Sequence, residues 1–190
     1  MITPALTRMH IGWDLDDVTT NLTEELLKLY NLRSGGGHRA EDAGDWSFFP
    51  EEVHEEMRAG GYPGLGLKES ARSALSELKA RGDRVSIITY REPRHREETE
   101  MWLEEQVPGL YDGVYLAGGS KAAICKEIGV DVLVDDSPRQ VLDAAREGIH
   151  AILFATCMNR GFEDTDLIHT ARGHREVLEL IDLLRAQLKG

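Results

Sequence analysis

Residues 125–136 read Cys-Lys-Glu-Ile-Gly-Val-Asp-Val-Leu-Val-Asp-Asp. The stretch joins the end of an amphipathic segment, a glycine, an apolar β-branched run and a pair of carboxylates. A glycine at that place accepts the left-handed conformation that closes a helix. A β-branched run after it suits a strand buried on both faces. The same order recurs twice. Leu78-Lys-Ala-Arg-Gly82 leads into Val85-Ser-Ile-Ile-Thr89, and Ala144-Ala-Arg-Glu-Gly148 leads into Ala151-Ile-Leu-Phe-Ala155. Helix and strand in alternation call for right-handed crossovers and a parallel sheet. The predicted fold is therefore α/β, a doubly wound (Rossmann-like) parallel sheet of about five strands.

The flanking segments agree. Further strands are expected at residues 9–13 and 114–117. Ala71, Ala74, Leu75 and Leu78 fall at helical spacing before Gly82. Val177, Leu180, Ile181, Leu184 and Leu188 form one stripe of a C-terminal helix. Ser137-Pro138, with Gln140 three residues after the serine, predicts a capping box and a first-turn proline.

Residues 20–67 break the alternation. Asn21 is the predicted cap of a helix with Glu24 at its third position, and Leu22, Leu26, Leu29 and Tyr30 share a face. Ser34-Gly-Gly-Gly37, the aromatics Trp46, Phe48 and Phe49, an acidic helix from Glu51, and Gly60-Gly-Tyr-Pro-Gly-Leu-Gly66 follow. We read 20–67 as a small helical cap inserted after the first strand, and 1–19 with 68–190 as the α/β core.

Composition narrows the function. The 190 residues carry 22 Lys and Arg against 34 Asp and Glu, a net charge of −12. That excess disfavours binding to a nucleic-acid polymer or an anionic membrane, since both need clustered cations. No apolar run approaches the roughly 20 residues of a membrane span. Residues 1–10 lack the apolar centre of a signal peptide. With only Cys125 and Cys157, and no Cys-x-x-Cys pair, neither a disulfide framework nor a structural zinc is expected, and the expected location is the cytoplasm.

In an open parallel sheet, ligands bind beyond the carboxyl ends of the strands. The first strand runs into Asp14-Leu-Asp16-Asp17-Val18, the strand at 85–88 ends in Thr89-Tyr90-Arg91, and the strand at 130–134 ends in Asp135-Asp136. Carboxylates converging on one edge repel unless a cation sits among them. An all-oxygen donor set favours Mg²⁺. Gly118-Gly-Ser-Lys121 fails the spacing of a phosphate-binding P-loop. Asp14-Leu-Asp16 lacks the later ligands of a calcium loop. The histidines are scattered, no nucleophile elbow is present, and Cys125 is expected in the core.

On these residues the chain resembles the haloacid dehalogenase-like hydrolases. Asp14-Leu-Asp16-Asp17-Val18 is similar to their first motif, Thr89 to the second, Lys121 to the third and Asp135-Asp136 to the fourth, in the family's order. The short cap and Leu153-Phe-Ala-Thr-Cys-Met-Asn159-Arg160 make the 5′(3′)-deoxyribonucleotidase-like group the most similar. The resemblance implies a phosphomonoesterase. Asp14 would be the nucleophile and Asp16 the acid and base, with Thr89 and Lys121 holding the phosphoryl oxygens. Asp14, Asp16 (by its main-chain carbonyl), Asp135 and Asp136 would hold Mg²⁺. Lys126 is a second candidate for the third motif, but its place in the last turn of its helix suits a cation paired with the helix dipole.

The implied substrate is a small phosphorylated molecule, a nucleoside monophosphate, taken by a monomer or homodimer. Trp46, Phe48, Phe49 and Tyr62 would contact the base by stacking or, equally, form the cap's own core. Tyr90 and Arg91 are candidate substrate contacts; Arg91 and Arg94 are alternatively surface residues. The alternatives are a phosphatase of another small phosphoester, such as a sugar phosphate, and a non-catalytic binding protein that retains the fold.

Overall fold

The computed structural model describes residues 7–189, so the outer core limits at 1 and 190 lie outside the described residues. Six parallel strands form one sheet in the order β3-β2-β1-β4-β5-β6. They are β1 (His10–Trp13), β2 (Arg84–Thr89), β3 (Gly113–Leu116), β4 (Val132–Asp135), β5 (His150–Phe154) and β6 (Ile168–Ala171). Helices α1 (Leu22–Ser34), α2 (Glu51–Glu56) and α3 (Glu69–Ala80) lie between β1 and β2. After β2 come α4 (Arg96–Gln106), α5 (Ala122–Ile128), α6 (Pro138–Arg146) and α7 (His174–Lys189).

The strands alternate as a doubly buried sheet requires. Ile11, Trp13, Val85, Ile87, Val132, Val134 and Ile152 pack with Leu75, Leu78, Leu103, Val177, Ile181 and Leu184 of α3, α4 and α7. Ile88, Leu133, Ala151 and Leu153 pack on the other face with Cys125, Val141 and Ala144 of α5 and α6. Gly12 faces that second layer, where a Cβ would come within 3.0 Å of Ile88 and 3.2 Å of Leu133 and Val130. A side chain there would have to displace the ends of those three side chains. The three helix-ending glycines, Gly82, Gly129 and Gly148, have φ of +83°, +70° and +77°, as the left-handed closure requires.

Two expected helix caps are corrected, and the strand count is refined. The sheet has six strands against the about five expected, with β6 added at the β5 edge. Arg172 lies in the bend between β6 and α7, which begins at His174. Asn21 stands at the N-cap of α1 but makes no side-chain cap bond; its side-chain oxygen Oδ1 accepts from the Gly66 N–H at 2.6 Å and its Nδ2 donates to Glu25 at 3.1 Å. Ser137 makes no side-chain cap bond, although Pro138 does open α6.

Segment 20–67 packs around its own cluster: Leu26, Ala43, Phe49, Val53, Met57, Tyr62 and Leu65, with Met158 from the loop after β5. Its two ends are tied by an antiparallel bridge between Thr20 and Leu67.

His174 fixes the start of α7 behind this junction. Its ring stacks on Trp13 at 5.8 Å and tilts over Phe154 at 4.7 Å. With Nε2 donating to the Val18 carbonyl at 2.9 Å, Nδ1 accepts from the Ser70 hydroxyl at 2.9 Å. Burial pushes the imidazole down to about 4. A group whose folded value lies below its unfolded one contributes stability above the unfolded value. That contribution is lost as pH falls through the window from about 6.5 to about 4, here at most about 3 kcal/mol. Urea unfolding should therefore show the gap between wild type and His174→Gln shrinking from pH 7 to pH 4. A gap independent of pH would count against the buried neutral imidazole.

Candidate active site

The strand order reverses direction between β1 and β4, and the crevice of a doubly wound sheet opens at that switch point. Asp14 follows β1 there, and Asp135 ends β4 with Asp136 next to it. The Asp14 N–H donates to the Val134 carbonyl at 2.9 Å, which stitches the two strand ends together. Beyond it the chain turns at Asp17, a non-glycine residue at φ +59°. Aspartate tolerates that region because its short side chain bonds locally. Asp17 accepts from the Thr23 N–H at 2.9 Å and from the Thr23 hydroxyl, and its carbonyl accepts from the Lys68 ammonium. The turn is thus pinned to the first residues of α1 and to the residue that precedes α3.

Lys121 lies at the centre. Its side chain is 1% exposed and donates to Asp14 Oδ1 at 2.5 Å and Asp135 Oδ2 at 2.6 Å. Burial works against its charge, but Asp135 and Asp14 outweigh that and hold the ammonium above the ordinary lysine range. Lys126, the other candidate, is exposed and pairs with Glu147. The loop that delivers Lys121 is held by Gln140, which accepts from the Lys121 N–H at 2.9 Å and donates to the Gly119 carbonyl at 3.2 Å. The residue read as a capping-box partner instead ties α6 to the lysine. Asp135 Oδ1 accepts from the Ser137 N–H at 2.9 Å.

Asp14, Asp135 and Asp136 can bring one carboxylate oxygen each within 4.8 Å of one another, all of them buried. Burial pushes the Asp14 carboxyl up to about 8; Lys121 opposes this, while Asp135 and Asp16 add to it. Burial also raises Asp136 well above the carboxylate range, and the charges of Asp17, Asp14 and Asp135 add to it. Asp136 Oδ2 is buried with no hydrogen-bond partner. Lys121 bonds two of the three carboxylates, and one Asp136 oxygen is orphaned. Hard oxygen donors crowded together, whose burial and mutual repulsion raise two of them, fit a divalent cation that would relieve both.

Asp16 is placed differently from its neighbours. Its carboxylate lies outside the trio and is gripped by Arg91, Nε to Oδ2 at 2.9 Å and Nη2 to Oδ1 at 2.6 Å. Arg91 is buried, so it is neither a surface arginine nor free to meet an anion in this arrangement. Arg94 is exposed and pairs with Glu92. Thr89 ends β2 fully buried, and its hydroxyl accepts from the Arg91 N–H at 3.3 Å.

The cap aromatics meet mainly one another. Phe49 is buried in the cap cluster, with Trp46 and Phe48 packed against it. Tyr30 makes edge contacts with Phe48 at 5.6 Å and Phe49 at 6.2 Å. Tyr62 alone of the four is placed on the Arg91 guanidinium, 3.9 Å from ring centroid to Cζ. Tyr90 is 54% exposed. Asn159 shapes the loop after β5 by donating to the Asp136 carbonyl at 2.7 Å and the Phe154 carbonyl at 2.8 Å. Cys125 is buried in the core, where burial pushes its thiol up to about 12, which rules it out as a nucleophile near neutral pH.

An aspartate pair after β1, a threonine after β2, a buried lysine before α5 and an aspartate pair after β4 define a haloacid dehalogenase-type phosphatase. Solved structures share the fold. A haloacid dehalogenase-like family hydrolase from Streptococcus pneumoniae matches with TM-score 0.65 at 15% identity, over 92% of this chain and 98% of that one. A haloacid dehalogenase-like hydrolase from Xanthomonas campestris matches with TM-score 0.65 at 16% identity, over 96% of this chain and 98% of that one. The CbbY protein of Rhodobacter sphaeroides, solved in complex with phosphate, matches with TM-score 0.61 at 14% identity, over 90% and 96%. No curated protein matches the sequence significantly. Residues 8–189 match the family described as 5′ nucleotidase, deoxy (pyrimidine), cytosolic type C protein. The chain belongs to that family and is a phosphoric monoester hydrolase. Among the described residues, no helix is long and apolar enough to cross a membrane.

Proposed function

We propose that the chain is a Mg²⁺-dependent phosphomonoesterase of nucleoside monophosphates, deoxyribonucleotides included, that works in the cytoplasm through an aspartyl-phosphate. The observation that carries this reading is the buried group of Asp14, Asp135 and Asp136 around Lys121. It is supported by a nucleotidase family match over nearly the whole chain.

Asp14 Oδ attacks phosphorus as the bond to the leaving oxygen breaks, and Asp16 gives that oxygen its proton. The Asp16 carboxylate then takes a proton from water, whose oxygen attacks the acyl phosphate. Inorganic phosphate leaves and Asp14 is restored. Thr89 and Lys121 donate to the phosphoryl oxygens, where charge builds in the transition state. Asp14, Asp135, Asp136 and the Asp16 carbonyl are the residues that would hold Mg²⁺, and the ion would supply charge neutralisation at the phosphoryl group.

A panel of nucleoside monophosphates and sugar phosphates, assayed with Mg²⁺, tests the substrate. Nucleotides should give the highest kcat/KM; a clear preference for sugar phosphates overturns that part. Removal of the ion by EDTA and desalting should abolish turnover, and added Mg²⁺ should restore it. Turnover that persists without metal would sink the metal assignment.

A further inference from the structure

We propose that Arg91 is the positioning residue of Asp16, fixing the carboxylate that handles the proton in both half-reactions. The inference rests on the reading of Asp16 as acid and base. Its own grounds are geometric. The guanidinium meets Asp16 side-on with two bonds, at 2.9 and 2.6 Å, and its side chain is 1% exposed. A bidentate fork fixes the plane of a carboxylate as well as its distance, which one ammonium cannot do. Arg91 is itself held on two further sides. Nη1 donates to the Thr99 hydroxyl at 3.2 Å, and the Tyr62 ring covers its face at 3.9 Å. Its N–H bonds the Thr89 hydroxyl at 3.3 Å, so the end of β2 places both the phosphoryl-binding threonine and the arginine.

The bonding pattern also selects an oxygen. A carboxylate offers about four acceptor sites, two on each oxygen. Oδ1 takes Arg91 Nη2 and, at 3.3 Å, the Thr20 hydroxyl. Oδ2 takes only Arg91 Nε among the described residues. One acceptor site on Oδ2 is therefore open, and the transferred proton travels there: from Oδ2 to the leaving oxygen, then from water to Oδ2. Tyr62 belongs to the cap segment, so the clamp is complete only with the cap seated on the end of β2.

A Brønsted series of substituted phenyl phosphates tests this, because help from a proton donor matters most for the least acidic leaving phenols. In single turnovers with Mg²⁺, Arg91→Lys and Arg91→Gln should steepen the dependence of rate on leaving-group pKa, with Lys the milder. Phenyl phosphate should lose about 100-fold, the scale of a misplaced catalytic group, and p-nitrophenyl phosphate only a few-fold. Asp16→Asn, run alongside, should steepen it at least as much. Retained near-ultraviolet circular dichroism separates this from misfolding, with Arg91→Lys as the milder probe if Arg91→Gln does not fold. An equal loss on every ester means substrate binding or simple structure and overturns the proposal. So does a faster Arg91 variant, which would mean that the pair is an inhibitory latch. If Asp16→Asn steepens the series and both Arg91 variants do not, only the positioning role fails. If Asp16→Asn leaves the slope unchanged, the acid and base reading fails and takes the proposal with it.

Discussion

Asp14→Asn is expected to lower kcat by about four orders of magnitude or more, the usual scale when the nucleophile of a covalent mechanism is removed. The substitution keeps shape and an acceptor oxygen for Lys121 while deleting the charge that attacks phosphorus. Lys121 retains Asp135 at 2.6 Å, so the centre keeps an ion pair. Stability should move the other way. Burial, ahead of the opposing Lys121 charge, holds the folded Asp14 carboxyl at about 8, above its unfolded value. A carboxyl raised on folding binds its proton more tightly in the folded state. The metal-free fold is therefore weakened as pH rises from about 4 toward 8. Metal-free Asp14→Asn should melt above wild type at pH 8, and the gap should close toward pH 4. The decisive pair of measurements is kcat with Mg²⁺ and melting temperature without it. Turnover within tenfold of wild type would remove Asp14 from the nucleophile's role. A melting gap that opens on acidification would contradict the buried, raised carboxyl.

Most of the sheet could be read from sequence because its signals are local. A glycine at the end of each of three helices, followed by a short apolar run, locates β2, β4 and β5 without knowledge of anything distant. The places of the four motif-like segments were legible for the same reason: each sits at the end of a strand or at a helix start, and parallel strands put those places on one edge. β6 was missed because Ile168-His-Thr-Ala171 is a short edge strand with two half-buried polar positions, not an apolar run. Ser137 and Gln140 fit a capping box locally, but Gln140 has a stronger tertiary use in holding the Lys121 loop. Asn21 likewise fits a helix cap, yet its amide closes the base of the cap segment on Gly66. The Arg91–Asp16 clamp joins residues 75 apart in sequence, and nothing near either one announces the other. Two strand ends must be adjacent first, and only the fold supplies that. The cap aromatics show the same limit. Composition marks Trp46, Phe48 and Phe49 as a cluster, but only packing shows Phe48 and Phe49 turned on Tyr30 and on each other, and Trp46 turned on His54.

Lys121→Met should be the most destabilising single change at the site, and divalent metal should reverse much of it. Methionine fits the stem of the lysine, so packing is nearly kept while the one ammonium between Asp14 and Asp135 is lost. Asp14, Asp135 and Asp136 then face one another without a cation, buried and within 4.8 Å. Breaking a buried pair from one side typically costs about 3–5 kcal/mol, because the remaining charge has neither water nor partner. For a chain of this length that lowers Tm by roughly 10 °C. The pH dependence follows from the carboxylates. Lys121 itself is held above its unfolded value and stays charged throughout pH 5 to 8, so its own titration adds no pH dependence there. The carboxylates can shed their repulsion by binding protons, so the deficit of the variant should be largest at pH 8 and smaller at pH 5. A bound cation relieves the same repulsion; at 100 times its Kd it adds about 2.7 kcal/mol to any fold that binds it. Mg²⁺ should therefore raise the Tm of Lys121→Met by more than that of wild type. Turnover should stay about 10²–10³-fold down at saturating Mg²⁺, since the donor to the phosphoryl oxygens is missing. Differential scanning calorimetry at pH 5 and 8, each with and without Mg²⁺, separates these effects. If the Tm deficit is the same in all four conditions, Lys121 is a packing residue and its charge does not hold the carboxylates together. If Mg²⁺ lifts both proteins equally, the trio does not bind the ion. A deficit that is largest at pH 8 without metal and smallest with it would identify Lys121 as the cation that keeps the site folded until the metal arrives.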